Sequence, residues 1–508
     1  MIERRRNTLR LPNQLEWSEL VALLGGEWLD DIRPVGSPSA RGVTNDSRLV
    51  SSGVIFIAYD GVTHDGHQFI PTAIERGAEV LVVERRGARP YGVPALLVHD
   101  ARRALSQLAA LSSGYAIHNY KTVGITGTNG KTTSLWLISR ALELLGERVL
   151  EIGTLGIQFE GEILSRGEAT TPPPDEIHRA AEWAKTLGAT SCVMEVSSHA
   201  LDQRRADDVQ FSAALFTNLT PDHLNYHSSL ETYFLAKRRL FEIALEADSN
   251  TPLAIGVDDE YGRRLANWAA PRSSCIRTFG HHDSASARFQ SMELSASGIQ
   301  GSFLFNGESH AFSTPLIGEY NARNFLGVFC TLVGMGYGAT EVLEVLASIG
   351  SPSGRMERFS AQEKTVFVDY AHTADAMENA LRALRPVTKG KLWVMFGLGG
   401  GKDPRRRSAM GAVAKELADK VVLTSDNPRQ EDPDSIIQDI LLSGVQPEFI
   451  ENDRGKAIAK VVPLLRPGDI LLLAGKGHEN FQIVQGDTFY FSDQEEVQRA
   501  LEKGQATE

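Results

Sequence analysis

A glycine-rich segment between two apolar patterns constrains the fold of this chain more than any other feature. The segment GITGTNGKTT, residues 124–133, begins inside TVGITG, an apolar run with strand character. It ends where the helical pattern TSLWLISRALELLG begins. Glycines between a strand and a helix let backbone N–H groups converge on phosphate oxygens. A turn that needs glycine only for a positive φ would bind nothing. Because strand, GKTT and helix follow one another in order, the sequence favours a nucleotide-binding unit.

Two side chains of this loop predict its chemistry. Lys131 is expected to reach the phosphate that is transferred, and the Thr132 hydroxyl is expected to ligand Mg²⁺ held by ATP. The spacing departs from the usual GxxxxGK[ST] form, because Ile125 stands five positions before Gly130. Ordinary kinases and GTPases are therefore less expected. The residues expected to bind ATP here are Gly127, Thr128, Asn129, Gly130, Lys131, Thr132 and Thr133.

The length of the chain and the restarts of its strand and helix patterns predict three α/β domains. A chain of 508 residues is long enough for roughly three compact domains. We expect a small α/β N-terminal domain over residues 1–110 and a central P-loop mononucleotide-binding domain over residues 111–352. Residues 353–508 contain five strand patterns, TVFVDYA, KLWVMFG, KVVLTSD, PEFIEN and DILLLAG, and each except the last precedes a helical stretch. This alternation predicts a C-terminal doubly wound, Rossmann-like domain.

Composition limits the partners and the compartment. The net charge of −12 is spread along the chain, so no basic face is evident for nucleic acid or an anionic membrane. No run of about 18 apolar residues predicts a membrane span, and no apolar segment follows the basic N-terminus. Cys192, Cys275 and Cys330 are isolated, which is typical of a reducing compartment. We expect a cytoplasmic protein without nucleic-acid partners.

Polar residues follow several predicted strands at the edge where parallel strands end. Glu195 ends the strand SCVME and could ligand Mg²⁺, which prefers hard oxygen donors. His223 follows the strand ALFTNLT; a histidine in a turn after proline is the alternative there. In residues 353–508 the loops DYAHT, GLGGGKDPRRR, TSDNPRQEDP and AGKGHEN follow the strands. Loops at this edge of a doubly wound sheet carry ligands, although each loop taken alone is also explained as a turn.

An ordered set of motifs resembles the Mur ligases. The motifs are GITGTNGKTT, MEVSSHAL, TNLTPDHLNYH, AKRRLF, GRME, VDYAHT and DNPR, and the resemblance runs from DSR at 46–48 to AGKGHEN at 474–480. Within the family, the chain is similar to the type that adds the third amino acid of the peptidoglycan stem peptide to UDP-N-acetylmuramoyl-L-alanyl-D-glutamate. The segment DNPR, residues 426–429, resembles the version that takes meso-diaminopimelate. The resemblance therefore implies an ATP- and Mg²⁺-dependent amide synthesis that proceeds through an acyl phosphate.

The same resemblance implies a catalytic group and a modified metal ligand. It assigns the catalytic roles to Lys131, Glu195, His223 and Lys237, and the metal to Thr132, Glu195, His223 and Lys237. Lys237 matches the family's carbamylated lysine, N6-carboxylysine, which offers anionic oxygen donors. Carbamylation requires a neutral amine, so burial must lower the pKa of this lysine. A solvated helix lysine beside two arginines is the alternative.

The resemblance also implies which residues bind each of the three substrates. It implies contacts with the UDP-sugar substrate from Ser47, Thr170, Thr171, Ser197, Gln203 and Arg205. It adds Asn324, Arg355 and Asp369 to the ATP site. For meso-diaminopimelate it implies Lys402, Asp426, Asn427, Pro428, Arg429, Gly475 and Glu479, with the planar Arg429 guanidinium on the distal carboxylate and Glu479 on the distal ammonium.

One departure from the family leaves the amino acid open. Lys402 stands where the family usually has arginine. Either Lys402 makes a single contact to the same carboxylate, or one of Arg405, Arg406 and Arg407 replaces that arginine, or the specificity has changed. A lysine-adding ligase and a non-catalytic nucleotide-binding protein therefore remain alternatives, although none of the four catalytic residues is lost. We expect a monomer.

Overall fold

The computed structural model describes residues 9–11, 15–38, 42–61, 64–85, 91–165, 169–361, 363–401 and 405–503. The chain divides into two compact units. The first consists of Met1–Arg288 with Asn324–Val345, and the second of Phe289–Arg323 with Leu346–Glu508. The domain ranges 1–110, 111–352 and 353–508 stay a prediction.

The N-terminal part of the first unit is a small α/β sandwich. Its sheet has the order β1-β3-β4-β5-β6-β2, with β3 to β6 parallel and both edge strands antiparallel. Alternate residues of its central strands belong to two apolar clusters, one containing Ile55 and Val80 and the other Phe56 and Leu81. The elements are β1 (Leu9–Arg10), α1 (Trp17–Leu24), β2 (Glu27–Trp28), β3 (Gly42–Thr44), β4 (Val54–Ala58), α2 (Ile70–Glu75), β5 (Ala78–Val83), β6 (Ala95–Leu97) and α3 (Ala101–Ser112).

The rest of the first unit is built on a mostly parallel sheet. Strands β8, β11, β7, β12, β13 and β14 are parallel neighbours, and β9 and β10 extend one edge in antiparallel fashion. The elements are β7 (Lys121–Thr126), α4 (Lys131–Leu144), β8 (Val149–Gly153), β9 (Gly156–Phe159), β10 (Glu162–Ser165), α5 (Pro174–Thr186), β11 (Ser191–Glu195), α6 (Ser198–Asp202), β12 (Ala213–Phe216), α7 (Leu224–His227), α8 (Leu230–Ala247), β13 (Leu253–Gly256), α9 (Glu260–Ala269) and β14 (Ile276–Gly280). The predicted succession of strand, glycine loop and helix is confirmed.

The points at which the two units divide fall inside three elements: β15 (Ala287–Ser295), α10 (Glu319–Gly334) and α11 (Ala339–Ser348). Between them, β16 (Gly298–Phe305) and β17 (Glu308–Thr314) form an antiparallel hairpin in the second unit. The sequence patterns did not predict this hairpin.

The C-terminal sheet of the second unit has the order β18-β19-β23-β20-β21-β22, and all its strands except β18 are parallel. All five predicted strands are present. The elements are β18 (Glu357–Ala361), β19 (Lys364–Asp369), α12 (Ala374–Leu384), β20 (Leu392–Phe396), α13 (Arg405–Leu417), β21 (Lys420–Leu423), α14 (Pro433–Leu441), β22 (Phe449–Ile450), α15 (Arg454–Val461), β23 (Ile470–Ala474), β24 (Phe481–Val484), β25 (Asp487–Tyr490) and α16 (Asp493–Lys503).

Helices cover both faces of this sheet. Phe367 and Leu472 pack in one apolar cluster with residues of α12, α13 and α14. Their neighbours Val368 and Leu471 point the other way and pack with residues of α15 and α16. Because successive side chains of a strand alternate between faces, the apolar runs of these strands are buried on both sides. The doubly wound prediction is confirmed.

No helix among the described residues is long and apolar enough to cross a membrane.

Candidate active site

The phosphate loop leaves the carboxyl end of β7 and its last residue, Gly130, is the N-cap of α4. Gly127 has φ +151° and Gly130 has φ +88°, which side chains rarely allow. A Cβ on Gly127 would lie 1.9 Å from Thr217 Oγ1, and one on Gly130 would lie 2.3 Å from Asn324 Oδ1. Both glycines are therefore required by conformation and by space.

The end of β12 fixes the shape of this loop. The Thr217 hydroxyl donates to the Asn129 carbonyl at 2.6 Å, and the Asn218 side chain accepts from the Asn129 N–H at 3.0 Å. The Asn218 carbonyl accepts from the Thr128 N–H at 2.9 Å. Neither Thr217 nor Asn218 was predicted as a site residue, although both lie in the motif TNLTPDH. The loop is held in its shape by the two residues that follow a neighbouring strand.

Two lysines share one oxygen of the phosphate loop. Lys131 Nζ lies 3.0 Å and Lys237 Nζ 2.7 Å from the carbonyl oxygen of Gly127. Lys237, on α8, is only 1% exposed and its Nζ lies 4.5 Å from the ring centroid of Tyr233. Burial lowers the pKa of Lys237 well below its ordinary value, the Lys131 charge adds to this shift, and Asp222 opposes it. The expected neutral amine is thus supported by the surroundings of Lys237.

Glu195 lies at the end of β11 with its carboxylate turned toward hydroxyl groups. It is 1% exposed and accepts from the Thr154 N–H at 2.9 Å, the Thr132 hydroxyl at 3.1 Å and the Thr154 hydroxyl at 3.2 Å. No lysine, arginine or histidine among the described residues lies within 4.0 Å of its oxygens. A buried carboxylate without a cationic partner is unfavourable, and Mg²⁺ with its preference for oxygen ligands fits these donors.

His223 follows β12 in the left-handed region, at φ +52°. Its side chain is about half exposed, and its ring lies 4.9 Å from that of His199 and 6.1 Å from that of Tyr233. Burial lowers the pKa of His223; Asp222 opposes this shift, and Lys131 and Lys237 reinforce it. The described residues contain no group of three or more histidine, cysteine, aspartate or glutamate side chains arranged to hold a metal. The metal ligand set therefore stays a prediction. Of its four members, Thr132 and Glu195 are in direct contact.

Five of the six residues predicted for the UDP-sugar substrate form one continuous network. The Thr171 hydroxyl donates to the Glu195 carbonyl at 2.9 Å and accepts from the Ser197 N–H at 2.9 Å. Arg205 donates to the Thr171 carbonyl at 2.6 Å and to the Gln203 side chain at 2.7 Å. Thr170 joins through the Thr154 hydroxyl at 3.2 Å. Ser47, the sixth, lies in a short 3₁₀ helix, Ser47–Leu49, of the N-terminal part.

A cavity in the first unit continues from this network. Its lining includes two guanidinium groups, those of Arg102 and Arg205, which favours an anionic ligand. Asn45 donates to the Tyr59 hydroxyl at 2.8 Å, and the Arg102 guanidinium lies 5.4 Å from the Tyr59 ring centroid. Sequence reasoning missed Asn45, Tyr59 and Arg102, because single residues on a strand end and a helix carry no motif. The lining residues are Asn45, Tyr59, Arg102, Leu105, Pro173, Pro174, Gln203 and Arg205.

A second cavity, in the second unit, brings together the residues predicted for the amino acid. Its lining residues are Tyr370, His372, Gly399, Asp426, Asn427, Arg429, Gly475 and Glu479. Tyr370, His372 and Gly399 were not predicted as site residues. Pro428 lies in sequence between the lining residues Asn427 and Arg429. A Cβ on Gly400 would lie only 2.0 Å from the Pro428 carbonyl oxygen. Lys402 lies outside the described residues.

Arg429 is held in a strained conformation. Its φ is +56°, and its backbone bonds to the hairpin of β24 and β25, donating to Ile483 at 3.0 Å and accepting from Gln485 at 2.6 Å. Its guanidinium donates to the Gly400 carbonyl at 2.7 Å. Left-handed backbone at a non-glycine residue persists where surrounding structure enforces it, and such positions cluster at functional sites.

Arg407, one of the three arginines considered as a replacement for the family's usual arginine, is already paired with two carboxylates. It is 4% exposed, and its guanidinium pairs with Glu431 at 2.8 Å and with Asp439 at 2.9 Å. These two carboxylates, one in the loop before α14 and one on α14, hold the Arg407 side chain inside its own unit. Of the three arginines considered, Arg405 and Arg406 remain exposed.

Arg355 and Asp369, predicted for ATP, lie close together in the second unit. The Arg355 guanidinium lies 4.8 Å from the Tyr370 ring centroid, and Asp369 Oδ2 accepts from the Met356 N–H at 2.7 Å. Burial raises the pKa of Asp369 to about 6, partly offset by Arg355. Asn324, the third of these residues, contacts the phosphate loop at Gly130.

Three family models match the chain in order. The Mur ligase family, catalytic domain, matches residues 39–113, the Mur ligase middle domain matches residues 125–332, and the Mur ligase, glutamate ligase domain, matches residues 354–477. Together they support the three-part α/β architecture expected from the sequence.

Known proteins resemble nearly the whole chain. The UDP-N-acetylmuramoyl-L-alanyl-D-glutamate--2,6-diaminopimelate ligase of Ectopseudomonas mendocina (strain ymp) is 39% identical over 474 residues, which are 91% of this chain and 95% of that protein. The ligase of the same name from Parasynechococcus marenigrum (strain WH8102) is 38% identical over 500 residues, 96% and 99% of the two chains. A solved structure of a ligase of that name is 28% identical with a TM-score of 0.71, covering 96% of this chain and 99% of the other.

Proposed function

We propose, since this chain belongs to the Mur ligase family, that it is an ATP-dependent, ADP-forming amide ligase of peptidoglycan precursor synthesis. It joins meso-diaminopimelate to the γ-carboxylate of the D-glutamyl residue in UDP-N-acetylmuramoyl-L-alanyl-D-glutamate. The relatives named above support this substrate pair. We also propose a cytoplasmic location and a monomeric state.

The observation that carries the proposal is the burial of Lys237 against the phosphate loop. A lysine with 1% exposure, whose Nζ lies 2.7 Å from the loop carbonyl at Gly127 and shares that oxygen with Lys131, is unfavourable as a cation. As a neutral amine it can add carbon dioxide: a bond forms between Nζ and carbon, and a proton leaves to solvent. The resulting carbamate is an anion beside the phosphate site.

The residues around this carbamate fit a divalent cation. Glu195, Thr132 and the Lys237 carbamate, with His223, would hold Mg²⁺ through oxygen and imidazole donors. When bound, Mg²⁺ neutralises charge on the phosphates that are transferred. The protein's own contributions would be the backbone N–H groups at the start of α4 and the Lys131 ammonium, which lies at the phosphate loop, and both would stabilise charge on the phosphates.

The reaction then needs position and charge, not a covalent nucleophile on the protein. A γ-carboxylate oxygen of the D-glutamyl residue attacks the γ-phosphorus of ATP, the bond to ADP breaks, and an acyl phosphate forms. The amine of diaminopimelate attacks the acyl carbon, loses a proton, and phosphate leaves. The network of Thr171, Ser197, Gln203 and Arg205 would hold the nucleotide-sugar substrate during both steps.

Arg429 and Glu479 are proposed to determine which amino acid the enzyme accepts. A guanidinium can bind the distal carboxylate of meso-diaminopimelate through two parallel hydrogen bonds, and L-lysine has no such carboxylate. Glu479 would hold the distal ammonium. Lys402 keeps the positive charge of the usual arginine without its bidentate geometry, so it would make at most a single contact to the same carboxylate.

Product analysis tests this function. The protein is incubated with ATP, Mg²⁺ and UDP-N-acetylmuramoyl-L-alanyl-D-glutamate, with meso-diaminopimelate or L-lysine in parallel, while phosphate release is followed and products are weighed by mass spectrometry. We expect the amide of diaminopimelate. Preference for lysine would show that Arg429 does not set the specificity, and absence of any amide would favour the non-catalytic nucleotide-binding protein.

A further inference from the structure

A buried lysine without a part in the proposed mechanism borders the amino-acid cavity. Lys476 is 0% exposed, and its Nζ lies 3.2 Å from Asp426 Oδ1, 3.2 Å from Asn427 Oδ1 and 3.6 Å from Glu479 Oε2. These three partners line the cavity and come from two loops, one after β21 and one after β23. A single ammonium therefore connects both loops. Sequence reasoning missed it because a lysine among glycines looks solvated.

The partners of Lys476 are fixed by further hydrogen bonds. The Asn427 side chain donates to Glu479 at 3.0 Å and accepts from the Ile483 N–H at 3.0 Å. Gln482 donates to the Asp426 carbonyl at 2.7 Å. The polar groups of this wall are thus oriented before a ligand enters, which lowers the entropy lost on binding.

The charges of the described residues that line the cavity balance when Lys476 is included. The described lining carries two carboxylates, Asp426 and Glu479, and one guanidinium, Arg429, which leaves one negative charge in excess. Lys476 cancels that excess. Arg454, another buried cation, forms two bonds of 2.7 Å with the buried carboxylate of Asp493, so this pair adds no net charge.

We propose that Lys476 is a positioning residue that sets amino-acid selectivity by neutralising Asp426. The described lining of the pocket then offers one anion, Glu479, and one cation, Arg429, which match an amino-acid end bearing both an ammonium and a carboxylate. Without Lys476 the pocket would carry a net negative charge and favour a bare ammonium. This inference rests on the proposed function.

Three variants test this inference. In Lys476→Met, we expect the ratio of kcat/KM for meso-diaminopimelate to kcat/KM for L-lysine to fall about tenfold or more. In Asp426→Asn the ratio should rise, because the pocket gains a net positive charge. The double variant restores neutrality, and its ratio should return toward that of the wild type.

Several readouts separate a selectivity role from a structural one. The KM values for ATP and for the nucleotide-sugar substrate should stay unchanged, and thermal melting shows whether Lys476→Met folds. If Lys476→Met does not fold, the kcat/KM ratio of Asp426→Asn still tests the proposal, which requires that ratio to rise. A double variant with a lower ratio than Lys476→Met, or an unchanged ratio in every folded variant, would overturn the proposal.

Calorimetric titration with each amino acid keeps this test independent of catalysis. The ratio of the two dissociation constants should change in the same directions in the three variants. A wild-type protein that forms no amide but shows these binding shifts would contradict the proposed function and leave the role of Lys476 standing. Amide formation without such binding shifts would support the proposed function and contradict the role of Lys476.

Discussion

At the scale of single residues, Glu195 and Lys237 are both about 1% exposed. Within the described parts of the chain, neither has a partner of opposite charge within 4.0 Å. Burying a charged group without a compensating opposite charge is unfavourable, and proteins retain such groups where a ligand or a reaction uses them. The carbamate and the metal proposed here would supply the missing compensation.

Lys237→Met should separate stability from activity. Methionine fills a similar volume without an amine to desolvate, so the melting temperature should stay equal or rise by a few degrees. Phosphate release should fall at least about a thousandfold, since the anionic ligand is lost. Thermal melting and a phosphate assay measure both quantities. The exposed Lys185→Met is the control, with both unchanged, and an active Lys237→Met would contradict the carbamate.

At the scale of elements, the predictions succeeded where a strand is buried on both faces. The runs in β19, β20, β21 and β23 are continuously apolar and bounded by turn residues, so the sequence alone marks them. In β15 and β17 buried and exposed residues mix, and β25 is exposed throughout. Such hairpins depend on partner strands that no local pattern identifies.

The site residues likewise divide into those that a local sequence pattern identifies and those that it does not. Loop positions such as Lys131 and Arg429 stand in motifs and were predicted. Lys476 and Arg102 depend on which chain segments meet, and a lone cation in sequence is usually solvated.

Gly130→Ala and Gly146→Ala should differ although both positions have nearly the same backbone. Their φ values are +88° and +90°, so alanine strains each backbone by about 1 kcal/mol. A Cβ at Gly130 meets Asn324 at 2.3 Å, whereas Gly146, just after α4, has no atom within 4 Å of that position. Because of this collision, we expect Gly130→Ala to lose more stability than Gly146→Ala by thermal melting, and we expect loss of ADP binding by calorimetry in Gly130→Ala alone. Equal ADP affinity in both variants would contradict the role given to this loop.

At the scale of the whole molecule, a polar network ties the first unit together at the end of the sheet opposite to the phosphate loop. The Glu147 carboxylate accepts from Ser191 at 3.0 Å and from Tyr337 at 2.9 Å, and it also contacts Lys121 and Thr190. Burial alone would raise the pKa of Glu147, but these hydrogen bonds outweigh it and lower the pKa to about 2. The network joins β7, β11 and the turn after α10.

Glu147 should make stability depend on pH. Its pKa is about 2 when folded and 4.5 ordinarily, so its stabilisation is complete above pH 4.5 and is lost as pH falls from 4.5 toward 2. Glu147→Gln should lose about 2 kcal/mol at pH 7, and the difference from the wild type should shrink below pH 4.5. Unfolding by urea across this pH range measures it. Ser191→Ala, which removes one of the hydrogen bonds that lower the Glu147 pKa, should lose about 1 kcal/mol at pH 7 and less at lower pH. A loss in Glu147→Gln that stays the same from pH 7 to pH 2 would refute the role of charge.

The most direct test of the proposed chemistry follows one oxygen atom. The nucleotide-sugar substrate is prepared with heavy oxygen in its D-glutamyl γ-carboxylate and incubated with ATP, Mg²⁺ and meso-diaminopimelate, and the released phosphate is weighed by mass spectrometry. Each phosphate should carry one heavy oxygen, because the carboxylate oxygen that attacks ATP leaves with the phosphate when the amide forms. Unlabelled phosphate would contradict the acyl phosphate.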